Sequence, residues 1–262
     1  DDKNFLLAEL ILCVIFIVKN LISYQFIRYQ FNFLKKIKKR ITHDLYKKYL
    51  FNNFLFFINK NSSELLRNVR IATEYNTVLY SFFVYFAEVV MISVLVVALF
   101  LVDPLMTLIS LFFFIILSIL IHYILREKIQ KLGLTKAELD VSINKSTLQT
   151  FQSIKEIKLY ESSDFFIKLF NQIIGDYSKI EKTINVFQQI PKLIFEVSLI
   201  LILSILLFLM NYFDYSKEGY LLIMTSLPVI SLRLIPSLSR IVASLQRLKF
   251  FQPSIDILAL QF

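Results

Sequence analysis

Three glycines, one cysteine and two histidines in 262 residues exclude several kinds of chemistry. No GxxxxGK(S/T) loop is present and Gly133, Gly175 and Gly219 are too scattered to form one, so any ATP site lies outside these residues. The single Cys13 rules out an internal disulfide. His43 and His122 belong to no CxxC or HExxH pattern, which leaves no metal site. The segment therefore carries no catalytic centre of its own. Proline is also sparse: none of the five falls within 31–77 or 126–190, so these stretches can run as long helices.

Apolar residues are abundant. They make up 56% of the chain, with 27 Phe and 13 Tyr, and the mean hydropathy is +0.64, far above that of an ordinary soluble domain. Five hydrophobic spans can be drawn, at 6–30, 78–102, 104–125, 192–213 and 219–240. The run PLMTLISLFFFIILSILIHYIL is 22 residues without an acid, lysine or arginine, enough to cross a bilayer core that needs about 20. The other spans hold internal charges (Glu9, Lys19, Glu88, Glu196 and arginines), each cheaper in a protein-lined crevice than facing lipid.

The net charge of +9 is unevenly placed. Residues 35–60 hold eight bases and one acid, Asp44, and 126–182 adds ten bases. The N-terminal DDK, the turn at Asp103 and the DYSKE turn together hold five acids against two lysines. The positive-inside rule puts those short segments outside and the two long basic regions in the cytoplasm. The basic surplus thus reports topology, not a nucleic-acid partner. The expected class is an all-α, multi-pass membrane protein with long cytoplasmic helical extensions.

A helix from about residue 6 to residue 57 would measure on the order of 75 Å, more than twice the hydrocarbon thickness. The extensions are expected to break once in each basic region. One break falls near NKNSSELLRN, where Ser62 or Ser63 would cap a short helix; the other falls near KLYESSDFFIKLF, where Ser162 or Ser163 would do the same.

Arg233, Arg240 and Arg247 recur every seven residues in the last span. That spacing drifts by only about 20° per step, so the three can line one wall. A guanidinium is permanently charged and presents a planar fork that matches phosphate. The alternative pairs Arg233 with an intramembrane acid such as Glu88 or Glu196 and leaves Arg240 and Arg247 at the cytoplasmic interface. Lys19 and Arg28 are further candidate cavity charges, or else snorkel to an interface. Pro228 and Pro236 lie in the same helix and are a candidate hinge or a packing irregularity.

FINKNSSELLRNV and IKEIKLYESSDFFIKLF resemble the two intracellular loops of exporter-type ABC transporters, and the likeness extends over residues 1–262. It implies the six-helix, domain-swapped transmembrane domain, with transmembrane helices two to six present and the first helix and the nucleotide-binding domain missing. Residues 58–70 would form the first coupling-helix region and 156–170 the second. Glu64, Leu65 and Arg67, and Tyr160, Glu161, Phe165 and Phe166, would meet the nucleotide-binding domains of the chain itself and its partner. The resemblance implies a homodimer excised here from a longer half-transporter, with ATP and Mg2+ bound in the missing domain and no cofactor in this segment.

Within that family, NKNSSELLRNV, LRLIPSLSRIVASLQRLKFFQPSIDIL and NLISYQFIRYQ are similar to flippases of lipid-linked oligosaccharides in bacterial protein N-glycosylation. That likeness implies an anionic lipid or lipid-linked glycan as substrate, its pyrophosphate met by Arg233 and Arg240, with Arg247 nearer the cytoplasm. The competing readings are an exporter of peptides, drugs or other lipids, an ion-coupled carrier, and a non-transporting membrane scaffold.

Overall fold

The computed structural model describes residues 2–102, 104–212 and 217–261, with side chains described except at 2–9, 12, 59, 98, 99, 102, 105, 106, 206, 209–212, 217–231 and 233. Its elements are α1 (Asp2–Leu50), α2 (Phe54–Asn59), α3 (Ser62–Val102), α4 (Pro104–Gln152), α5 (Ile154–Leu159), α6 (Ser163–Tyr212) and α7 (Lys217–Ala259). No strand occurs among the described residues.

Five helices are long. At 49 residues, α1 and α4 each extend about 73 Å, more than twice the bilayer core. Among the described residues, Ser62–Val97, Thr107–Gln152 and Ser163–Ile205 are long and apolar enough to cross a membrane. The expected spans at 6–30 and 219–240 fall on α1 and α7, partly outside the described side chains. Val90, Val94, Ile119, Leu120, Val197 and Ile200 all point outward. Such a girdle would be an aggregation surface in water and is unremarkable against acyl chains.

Helix α7 is the hub, packing on α3, α4 and α6; α4 also packs on α6 and α3, while α1 lies against α3. The main core lies between α4, α6 and α7, where Phe114, Ile129, Phe195, Val242 and Phe250 are all at most 5% exposed. Phe114 and Phe195 meet edge to face, with centroids 6.1 Å apart. A smaller core joins α1, α3 and the end of α7 through Leu45, Tyr49, Ile71, Ala72 and Leu258. Within the bilayer, where lipid tails are as apolar as leucine, such contacts stabilise by close packing rather than by removal from water. A close backbone approach lies past the expected span 104–125: a Cβ at Gly133 of α4 would sit 2.1 Å from the Phe250 carbonyl oxygen of α7.

The helices break at 60–61 and 160–162, inside the two expected tracts, but each region also breaks once more upstream, at 51–53 and at 153, so the short helices lie earlier than the serine-cap reading placed them. Helix α1 stops at Leu50, not near residue 57, because Asn52 turns back to the Tyr49 carbonyl and Asn53 is extended. The short helix is α2, and Ser62 and Ser63 open the 41-residue α3 instead of capping a short helix. The cap of α3 is Asn61, whose Oδ1 accepts the Ser63 N–H at 3.0 Å. In the second break the short helix is α5, and Ser162 stands at the cap of the 50-residue α6.

Candidate functional site

Arg240 and Arg247 on α7 line a cavity of about 310 Å³ with Tyr80, Ser81, Val84 and Glu88 of α3. Two helical turns between the arginines return both to the same face. The alternative pairing expected from sequence falls on a different arginine. Arg240 donates through Nε to Oε1 of Glu88 and through Nη2 to Oε2 at 3.2 Å, a two-point contact between α7 and α3. Its Nη2 also lies 3.4 Å from Ser237 Oγ. The Arg240 side chain is 51% exposed and that of Glu88 only 14%, so the guanidinium faces the open side of the cavity. Arg247 donates from Nε to Gln188 Oε1 of α6 at 3.3 Å. The Arg233 side chain lies outside the described residues.

Other predicted residues are placed elsewhere. Lys19 lies 5.7 Å from the Phe16 ring of its own helix, and both Lys19 and Arg28 are exposed on α1, apart from the arginine cavity. Glu196 is 3.8 Å from Lys192 one turn earlier on α6. Helix α7 continues through Pro228 and Pro236 as far as Ala259, so neither proline ends it.

The two tips differ in how their candidate contact residues are held. In the first, Glu64 lies in the opening turn of α3, where a carboxylate suits the helix dipole, 4.0 Å from Lys60. Leu65 packs on the small core, and Arg67 donates to Asn68 Oδ1 at 3.1 Å. Buried Asn68 in turn donates to the Tyr49 hydroxyl at 3.0 Å, and that hydroxyl to Gln261 Oε1 at 3.2 Å, tying α1 and α3 to the chain beyond α7. Sequence reasoning missed the outward apolar face of α2: Phe54 is 78% exposed, with Leu55 and Ile58 also outside. The signal was FLFFIN, an apolar run too short to span a membrane.

In the second tip, Tyr160 and Phe165 are exposed, and Phe165 meets Phe166 edge-on at 5.5 Å. Phe166 lines an apolar groove of about 440 Å³ with Phe151, Ile154 and Ile157. Glu161 has φ 52°, and the N–H of Ser162 returns to the Ile157 carbonyl at 3.1 Å. This is a Schellman ending of α5 with glutamate at the left-handed position where glycine is favoured.

Between cavity and tips lies a charged cluster that the sequence reading did not single out. Lys136 of α4 contacts Asp140 at 3.3 Å and Glu74 of α3 at 3.9 Å, and Arg70 reaches Glu74 at 3.0 Å and Asp140 at 3.8 Å. The Lys136 ammonium also lies over the rings of Tyr177 and Phe251, so the cluster bridges α3, α4, α6 and α7. Burial pushes the Asp140 carboxyl up against the opposing pull of Lys136 and Arg70. Burial would lower Lys136, but Asp140, Tyr177 and Glu74 outweigh it and hold the ammonium above its ordinary value. The i,i+4 pairs Arg70–Glu74 and Lys136–Asp140 were visible as spacings, but nothing local shows that they face each other.

Among the described residues, no cluster of His, Cys, Asp and Glu could hold a metal ion. What the fold and site define is a polytopic helical membrane protein with an arginine-lined cavity and no catalytic constellation among those residues. Residues 2–231 match the family described as the ABC transporter transmembrane region, and the chain belongs to that family. It is a multi-pass inner-membrane protein.

Proposed function

We propose that the chain forms the membrane part of an ATP-driven exporter or flippase of the six-helix, domain-swapped type, and that it translocates a lipid-linked oligosaccharide or a similar anionic glycolipid. The observation that carries this reading is the pair of arginines, Arg240 and Arg247, on one wall of a cavity between α3 and α7. Permanent cations beside membrane spans are costly unless they are paired or face a cavity, and a guanidinium fork that faces one suits a pyrophosphate. Arg233 precedes Arg240 by one heptad in the sequence and is assigned to the same stripe on that spacing alone. Lys19 and Arg28 would take part only in an assembly that brings α1 to the cavity.

In this reading the exposed apolar tips meet nucleotide-binding domains of the same chain and of a second copy, which bind ATP and Mg2+. Motion of those domains reaches the cavity along α3, α4 and α6. The groove beside Phe166 and the outward face of α2 both favour protein partners over water at the tips.

ATP hydrolysis by the full-length protein in lipid nanodiscs, with and without polyprenyl-pyrophosphate oligosaccharide, tests the assignment. The lipid is expected to change the rate, and Arg233→Ala and Arg240→Ala are expected to abolish that response while basal hydrolysis persists. Lipid-indifferent hydrolysis in every form would send the search to peptides and uncharged amphiphiles.

A further inference from the structure

The carboxylate of Glu88 occupies the Nε and Nη2 edge of Arg240, the same two-donor edge that a phosphate group would take. We propose that Glu88 is a built-in competitor: a diphosphate enters the cavity by exchanging for the Glu88 carboxylate on Arg240, and the exchange unties α3 from α7. The inference rests on the reading of the cavity as an anion site.

Three observations support the exchange. Glu88 and Arg240 line one cavity with Arg247, so an incoming anion meets a second guanidinium two turns away before it displaces the carboxylate. Ser237 holds a further Nη2 contact, which leaves the two Nη1 hydrogens as the donors with which Arg240 first touches an anion. The exposure is also unequal: the Arg240 side chain is half open while that of Glu88 is largely covered, so the anion approaches from the arginine's side and the carboxylate is what must withdraw.

The exchange has a selective effect. Without a guest, the pair neutralises two charges that would be expensive unpaired beside a membrane span. A singly charged or neutral amphiphile cannot outbid a carboxylate already aligned on the fork, whereas a diphosphate that also engages Arg247 can. Glu88 is thus a specificity-determining residue that raises the threshold of charge a guest must carry. Because the same contact joins α3 to α7, occupancy changes how those helices are held together, and a guest can bias the bundle only through such a state-dependent contact.

The test is calorimetric titration of the full-length protein in nanodiscs with geranylgeranyl pyrophosphate and, separately, inorganic pyrophosphate; geranylgeraniol serves as the uncharged control. Glu88→Gln is expected to bind the diphosphates about tenfold more tightly than the unmodified protein, and Arg240→Gln to lose binding. Tightening in the lipid arm alone assigns the guest as lipid-borne, and tightening in both arms assigns the diphosphate itself; either supports the exchange. Equal or weaker binding by Glu88→Gln, with dependence on Arg240 intact, overturns the competition while the cavity reading stands. Binding indifferent to Arg240 overturns both.

A second measurement leaves Glu88 in place. With Cys13→Ser, Val84→Cys and Ala243→Cys, a bifunctional thiol reagent reports the α3 to α7 separation across the cavity. Pyrophosphate is expected to slow the cross-linking. A rate that does not respond overturns the exchange.

Discussion

Gly133 and Gly175 make a matched pair of perturbations. Both lie in the interior of long helices, outside the hydrophobic stretches 104–125 and 192–213, and replacing a mid-helix glycine by alanine stabilises a helix by about 1 kcal/mol when nothing else changes. At Gly175 nothing lies within 4 Å of the new Cβ, so that gain is expected in full. At Gly133 the Cβ would meet the Phe250 oxygen at 2.1 Å, its carbon at 3.0 Å and its Cα at 3.4 Å. These three atoms are all backbone, in a helix whose Phe250 is 5% exposed, so no side-chain rotation relieves the clash. Helices α4 and α7 must separate by about an ångström, and overpacking of this kind costs roughly 1–3 kcal/mol, toward the upper end for backbone. After the propensity gain, Gly133→Ala is expected to destabilise by about 2 kcal/mol and Gly175→Ala to stabilise by about 1 kcal/mol. Denaturant unfolding of the detergent-solubilised protein, followed by loss of helicity, measures both. If Gly133→Ala were as stable as the unmodified protein, the close α4 to α7 crossing would be refuted.

Lys136→Met should leave the Asp140 carboxylate, which is 8% exposed, with only its 3.8 Å contact to Arg70, and destabilise by roughly 2 kcal/mol; adding Asp140→Leu should recover most of that in the same unfolding assay. Lys136 and Tyr177 both have raised values in the folded protein, so each contributes stability that is complete below its ordinary value and is lost as pH rises through the folded one. Thermal midpoints should therefore fall above about pH 10, and less steeply in Tyr177→Phe, which lacks one of the two titrations. Glu161→Gly removes the penalty of a left-handed non-glycine residue and should slow amide exchange in α5 by about 1 kcal/mol of local stability; unchanged exchange would argue against the Schellman ending.

Much of the fold was legible because the decisive signals are local. Proline-poor, glycine-poor stretches become helices of 41 to 50 residues, α6 running on through Pro191, and polar tips break them where asparagine and serine cluster. The position of the short helices was not legible. LYKKYLFNNFLFF keeps an apolar rhythm across Asn52 and Asn53, so the ear hears one helix where the backbone turns. Pairings across helices were the other blind spot. Heptad spacing places Arg233, Arg240 and Arg247 on one face, but which of them stands level with Glu88 depends on how far α3 and α7 are staggered, a property of two distant segments. The same holds for Gly133, an isolated glycine whose purpose appears only when the Phe250 carbonyl arrives 117 residues later in the chain.

The crossing of α4 over α7 at Gly133 and Phe250 also sets a mechanical advantage. From Gly133 to the end of α4 at Gln152 is about 28 Å along the helix, and from Phe250 back to Arg240 about 15 Å. Two stiff rods that pack along a shared apolar seam and meet backbone to backbone at one glycine-sized notch would rock about that notch more readily than slide past it. An opening of about 2 Å beside Arg240 would then swing the end of α4 by nearly 4 Å, and the ratio runs in both directions. A small ionic exchange in the cavity and a larger displacement at the tip would be two ends of one balance beam, its fulcrum fixed by a missing side chain.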